Sequence, residues 1–246
     1  MNRQLNYKFQ KKDQRDHKFF KIIVKPGQIS ASFSLQNKIG AILDQGDIGS
    51  CVSNAFAQYI NMSTNKIVKI SRLQHYYCGR ALDGDSSTAD TGLDIRMAAK
   101  IIQKYGACSE SVWPYITAKF SQLPLLSVFK ASRLFRQYNY TFLNQDLSSL
   151  KTCLFINKSP IIFGFYVYDS FMNSQGGIIP LPNVETETLQ GGHCMVIVGY
   201  DDIKQTFTCV NSWGNQWGDK GFCYMPYAYV VDASLCSDFC KLNFVF

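Results

Sequence analysis

The chain has 246 residues, of which 46% are hydrophobic and 17% charged, and a formal net charge of +7. This length suits one large domain or two lobes sharing an interface, and the apolar content excludes an intrinsically disordered chain. The charge is diffuse. Its clearest basic stretch (Lys8, Lys11, Lys12, Arg15, Lys18 and Lys21) is interrupted by Asp13 and Asp16, and so reads as a solvated mixed-charge segment rather than a nucleic-acid surface.

Met1 to Lys21 is charged throughout and lacks the apolar run of a signal peptide. No stretch approaches the ~18 apolar residues that span a bilayer. The longest apolar run, Pro160 to Tyr168, is strand-sized. Neither a nucleic-acid nor a membrane partner is expected. The nine cysteines are irregularly spaced, with no CxxC, and there are only three histidines, so no metal site is expected. Mostly reduced, buried cysteines are the default for such a chain. Cys236 and Cys240 would lie one helical turn apart if that segment were helical.

Residues 1 to about 35 lack an amphipathic period and read as an extension, with a strand-like run at Ile22 to Val24 closed by a Pro26-Gly27 turn. The compact part begins near Ser34. The first strong helix follows Ser50, where Val52, Ala55, Phe56, Tyr59 and Ile60 recur at helical spacing. A second helix is predicted from Ser71 to about Leu82, then a polar loop from Asp83 to Asp90. A third runs from about Asp94 to Tyr105 and ends at Gly106. Strands are predicted at Ile161 to Tyr168, Cys194 to Tyr200, Gln205 to Val210 and Gly221 to Met225. Helices first and strands afterwards predict an α+β protein of two lobes.

Three segments carry chemistry. Cys51 follows Gln45-Gly46-Asp47-Ile48-Gly49-Ser50 and opens the first helix. There the positive end of the helix dipole favours thiolate, although an isolated cysteine of this kind is equally read as buried and inert. His193 stands after Gly191-Gly192 at the opening of an apolar strand, where a cleft could reach it; a core or surface-loop histidine is the plainer reading. The string Asn211-Ser212-Trp213-Gly214-Asn215-Gln216-Trp217-Gly218-Asp219-Lys220-Gly221-Phe222 pairs two tryptophans with glycines, a combination too particular for chance.

Together these segments resemble the papain/cathepsin family of cysteine peptidases. Gln45, Gly46, Gly49, Ser50 and Cys51 match its Q-G-x-C-G-S-C-W motif. His193 with Val198-Gly199-Tyr200 matches its histidine strand, and Asn211 to Phe222 match N-S-W-G-x-x-W-G-x-x-G-[YF]. Trp113-Pro114-Tyr115 looks like the family's Y-P-Y. The resemblance covers about Leu43 to Tyr227, and Arg80 to Tyr105 look most like the bacterial and giant-virus branch.

The resemblance implies a papain-like two-lobe fold, with a helical lobe at about 40–137, a β-barrel-like lobe at about 138–246 and a cleft between them. It implies a peptidase acting on peptide or protein substrates without a cofactor. Cys51 would be the nucleophile, His193 its acid/base partner, Asn211 the orienting group and Gln45 an oxyanion donor, with Trp213 covering the Asn–His contact. Gly92, Ile95, Gly164 and Cys194 would bind substrate, the last three giving an apolar preference for the second residue before the cut. Other readings are a catalytically silent binding module on the same fold and acyl transfer to an amine.

Departures from the pattern are Val52 for the family's Trp, Ile48 for a Cys whose disulfide partner aligns near Asp90, Gly192 for a polar residue, and Gly92-Leu93 for paired glycines, where Leu93 should leave less room. A lost disulfide fits a reducing compartment, and cytoplasmic or virion-associated is the default location. The family's long helical propeptide has no counterpart. Residues 1–35 are expected to pack on the β lobe or to block the cleft as a short pro-segment.

Overall fold

Helix α1 (Cys51–Ser63) is buried on every side over its first ten residues, the signature of a helix inside a core rather than on its surface. In this computed structural model, which describes residues 3–11, 13, 14, 16, 28–133 and 139–243, α1 lies between two further helices and a sheet. The Ile22–Val24 run, the Pro26-Gly27 turn, Lys12, Arg15, Lys18 and Lys21 fall outside the described residues.

Helices α2 (Arg72–Leu82) and α3 (Ile95–Lys104) begin where a side-chain oxygen satisfies a free backbone N–H. Ser71 accepts from the Gln74 N–H, and Asp94 from the Met97 N–H. Both helices pack against α1 and against each other.

Arg80 of α2 is fully buried. Its guanidinium donates to the carbonyls of Ser87, Ala89 and Phe120 and lies over the rings of Tyr76 and Phe120. One cation thereby organises the 83–90 loop, whose own sequence is too polar to bury. Arg80→Ala should lower stability by about 3 kcal/mol, because three carbonyls lose a charged donor at once. Thermal unfolding checks this, and a change within the noise of a surface substitution would contradict it.

Short elements follow: α4 (Leu126–Ser132), β2 (Asn139–Phe142) and α5 (Leu147–Phe155). The second half is dominated by one antiparallel sheet. Its strands are β3 (Ile161–Tyr168), β4 (Leu189–Asp201), β5 (Thr206–Val210), β6 (Phe222–Pro226) and β7 (Cys236–Asn243), with α6 (Asp169–Met172) and α7 (Tyr227–Val231) between them. Strand order is β2-β7-β3-β4-β5-β6, and a short β1 (Ser32–Ser34) adds to β4. No described helix is long and apolar enough to cross a membrane.

Several expectations change. The apolar strand begins at Leu189, so His193 sits inside β4, opposite Phe165 of β3, instead of opening the strand. Gly191 and Gly192, placed before the strand by the sequence, join its ladder with β3. Cys236 and Cys240 belong to strand β7, not a helix. That strand is irregular: its register against β3 shifts between Ile162 and Gly164, and Asp238 takes a positive φ of 62°. Such a bulge re-aims a side chain and breaks the alternation by which a strand is recognised. All nine cysteines are free and buried.

Candidate active site

The loop from Gln45 to Ser50 and the strand β4 face each other across a groove, with Cys51 between them. The groove is filled by the chain's own N-terminal segment. Tyr7 N–H donates to the Gly192 carbonyl (3.0 Å) and Gly192 N–H to the Leu5 carbonyl (3.2 Å), so Asn6 pairs with Gly192 in parallel. On the opposite wall, Lys8 N–H donates to the Leu93 carbonyl (3.1 Å) and the Asn6 amide to the Asp90 carbonyl (2.7 Å). Side chains fasten both ends. Arg3 donates to the Asp44 carboxylate and to the carbonyls of Gly46 and Trp213, while Lys8 reaches Asp83 (2.6 Å) and Asp85 (2.7 Å). Two residues of the expected solvated basic stretch, Lys8 and Asp16, are therefore engaged, Asp16 through Arg96.

Gln45 is fully buried. Its Oε1 accepts from Ser212 Oγ (2.9 Å), which aims Nε2 at the carbonyls of Ile48 (3.1 Å) and Gln4 (3.2 Å). A peptide carbonyl of the segment thus rests on the side chain expected to bind an oxyanion. His193 Nε2 lies 2.8 Å from Asn211 Oδ1. That oxygen also accepts the Ser212 N–H (2.7 Å), so it acts as an acceptor, the proton sits on Nε2, and Nδ1 keeps the lone pair. Trp213 lies over the imidazole, ring centroids 4.9 Å apart.

Burial pushes the Cys51 thiol up to about 12, against the pull of nearby backbone N–H groups, with a small further rise from Asp90. Burial also lowers His193 to about 4, despite the Asn211 hydrogen bond. The helix-dipole argument for a thiolate is therefore reversed in this covered state: desolvation outweighs the dipole, and both groups are neutral.

Among the expected substrate-binding positions, Gly92 has a φ of 76°, and a Cβ there would collide with the Asn6 carbonyl; only glycine lets the segment approach so closely. Leu93 does not crowd the groove. Its side chain turns inward and packs against Gly79 of α2. A Cβ at Gly164 would strike the Tyr7 ring, Cys194 lies beside that ring, and Ile95 is fully buried in the same core. The Tyr7 hydroxyl donates to Asp238 at 2.5 Å.

Sequence reading missed Asp238, because nothing in a polar, bulged strand marks it. It also missed the roles of Ser212 and Tyr115. Tyr115 bonds Ser50 Oγ (2.5 Å) and the Gln45 carbonyl (2.8 Å), for which the aromatic after Trp113-Pro114 was an available signal.

A profile of the papain family cysteine proteases matches residues 29–237. The chain belongs to that family and is a thiol protease acting on peptide or protein substrates. It is 34% identical to an uncharacterized peptidase C1-like protein of Acanthamoeba polyphaga mimivirus, over 92% of this chain and 79% of that one. It is 22% identical to mouse pro-cathepsin H, over 76% of this chain and 56% of that protein. Among solved structures, xylellain, a cysteine protease from Xylella fastidiosa, superposes with a TM-score of 0.91 at 32% identity, covering 98% of this chain and 96% of that one. Procathepsin L 3 of Tenebrio molitor, at 20% identity and a TM-score of 0.72, shares the fold. The α+β, two-lobe, papain-like architecture expected from the sequence is the one observed.

Proposed function

We propose that the chain hydrolyses peptide bonds through Cys51, His193 and Asn211, with a thioester acyl-enzyme. The observation that carries this reading is the His193–Asn211 hydrogen bond, which leaves Nδ1 as the ring nitrogen free to act as a base, on the residue before Cys194, whose backbone N–H bears on the Cys51 sulfur. Nδ1 takes the thiol proton, sulfur attacks the substrate carbonyl, and the oxyanion is held by Gln45 Nε2 and the Cys51 N–H. The imidazolium then protonates the departing amine, and water attacks the thioester with His193 as base. Trp213 keeps water from the His193–Asn211 bond.

Removing one oxyanion donor by Gln45→Ala should lower kcat by about 10²-fold and leave KM nearly unchanged, as steady-state kinetics would read. The general test is irreversible labelling of Cys51 by an epoxide thiol-protease inhibitor. A protein that neither labels nor cleaves peptides would be a silent binding module on this fold.

The segment from Arg3 to Lys8 is proposed to act as a short pro-segment that must leave before substrate enters. The slot it leaves at Tyr7 would take the second side chain before the cut. Ile95, Gly164 and Cys194 make its walls apolar, and Asp238 at its end favours a side chain tipped by a hydrogen-bond donor over the purely aliphatic choice expected from sequence.

A further inference from the structure

The loop from Gln45 to Ser50 must hold two oxyanion donors still, yet it contains a weak point. Gly49 lies two residues before Cys51, and a Cβ there would come within 2.7 Å of the Asn6 side chain while the segment is docked. A glycine so close to the Cys51 N–H adds backbone freedom to that donor, which Ser50 limits from the helix side: its hydroxyl bonds Tyr115 and its carbonyl accepts the Asn54 N–H (3.0 Å).

The near end of the loop is well held: Gln45 N–H donates to the Ser212 carbonyl (2.8 Å), and the Gln45 carbonyl accepts from Tyr115 (2.8 Å). At the far end, the Gly49 N–H points at both oxygens of Asp90, at 2.8 and 3.0 Å. Asp90 in turn accepts from the Tyr76 hydroxyl, whose oxygen accepts the Gly92 N–H at 3.1 Å. A continuous chain of hydrogen bonds therefore runs from the nucleophile loop through Asp90 and Tyr76 to the groove wall that cradles peptide backbone.

We propose that Asp90 is a positioning residue for the reaction: its carboxylate pins Gly49, and with it the Cys51 N–H, in register with the Gly92 wall. The proposal rests on Cys51 being the nucleophile. Holding the loop with a carboxylate has a cost, because its negative charge opposes ionisation of Cys51. The other groups bearing on that ionisation are the backbone N–H groups of Cys194, Val52 and Cys51, which favour the thiolate; Arg3 acts on the neighbouring His193, and Cys194 lies beside the thiol. Positioning and charge therefore separate in two substitutions. Asp90→Asn keeps an oxygen to accept the Gly49 N–H and removes the charge; Asp90→Ala removes both.

The experiment uses the full chain carrying Arg3→Ala, Tyr7→Ala and Lys8→Ala, which frees the groove, as parent. Asp90→Ala should lower kcat by about 30-fold with KM within about twofold, the signature of a donor that serves the transition state alone. Asp90→Asn should recover kcat to within about threefold of the parent. In both variants the half-maximum of Cys51 alkylation by iodoacetamide should move to lower pH, since removing a nearby negative charge favours thiolate. Thermal unfolding reports whether each variant is folded.

A folded Asp90→Ala with kcat within twofold of the parent overturns the proposal. So does an Asp90→Asn as impaired as Asp90→Ala, which would show that the hydrogen bond to Gly49 is not what matters. Loss of the peptidase reading is seen separately, in a parent that neither cleaves peptide nor alkylates at Cys51; that result removes both.

Discussion

Cys51→Ala, made in the chain whose groove has been freed, should abolish peptide hydrolysis, lowering kcat by about 10⁶-fold, as when the nucleophile is removed from an intact hydrolytic triad. The residual groups can orient a carbonyl, but none can form the thioester. The fold should survive. Cys51 is fully buried at the start of α1, and trading its sulfur for a hydrogen costs about 1 kcal/mol of packing. Far-UV circular dichroism and the unfolding midpoint establish that, and a peptide-cleavage assay gives the rest. Cleavage by the folded variant at a rate near the parent's would place the nucleophile on another residue.

The second large effect concerns the segment. Combining Arg3→Ala, Tyr7→Ala and Lys8→Ala should raise the activity of the full chain by at least about 10²-fold. Burial of the Tyr7 ring alone stabilises docking by about 2 kcal/mol, which corresponds to about thirtyfold in the docking equilibrium. Arg3 adds charge-assisted bonds to Asp44 and two carbonyls, whereas the more exposed Lys8 pairs add less and weaken with salt. Equal activity in the triple variant and the unaltered chain would show that the segment does not limit access.

The same contacts set the pH dependence. Burial raises the Asp44 and Asp85 carboxyls, but Arg3 and the Gly46 N–H at the first, and Lys8 and Thr91 at the second, outweigh it and hold both below their ordinary 3.8. Burial lowers Lys8, and Asp83 and Asp85 more than restore it, to above 10.5. Depressed acids contribute to docking above about pH 3.8 and lose that contribution only as pH falls further; a raised lysine contributes until pH climbs past 10.5. Asp238 is raised by burial beneath Tyr7, so the proton it gains on acidification favours the docked state. Mild acid should not release the segment. The ratio of triple-variant to unaltered activity between pH 7 and 5 measures this, and a ratio collapsing towards one at pH 5 would contradict it.

The three helices of the first half were legible from local pattern: an apolar repeat in α1, a capping oxygen at Ser71 before α2, and a capping oxygen at Asp94 with a stop at Gly106 around α3. Strand β3 was legible as an uninterrupted apolar run. Strand β7 was not, since its bulge at Asp238 breaks alternation and its pairing partners, β2 and β3, lie far away in sequence. The start of β4 was placed too late because two glycines carry no strand-like side chain, and only pairing with β3 makes them part of the strand.

The amino-acid sequence by itself determined the family and the candidate chemistry. The strings around Cys51, His193 and Asn211 are local, and each is constrained by backbone geometry within a few residues. Only the tertiary structure decided what occupies the groove, which wall Asp90 ties to the nucleophile loop, and where Asp238 aims. It also decided the ionisation of Cys51: the helix dipole is a property of the helix alone, whereas desolvation depends on everything packed around it, and here desolvation is the larger of the two.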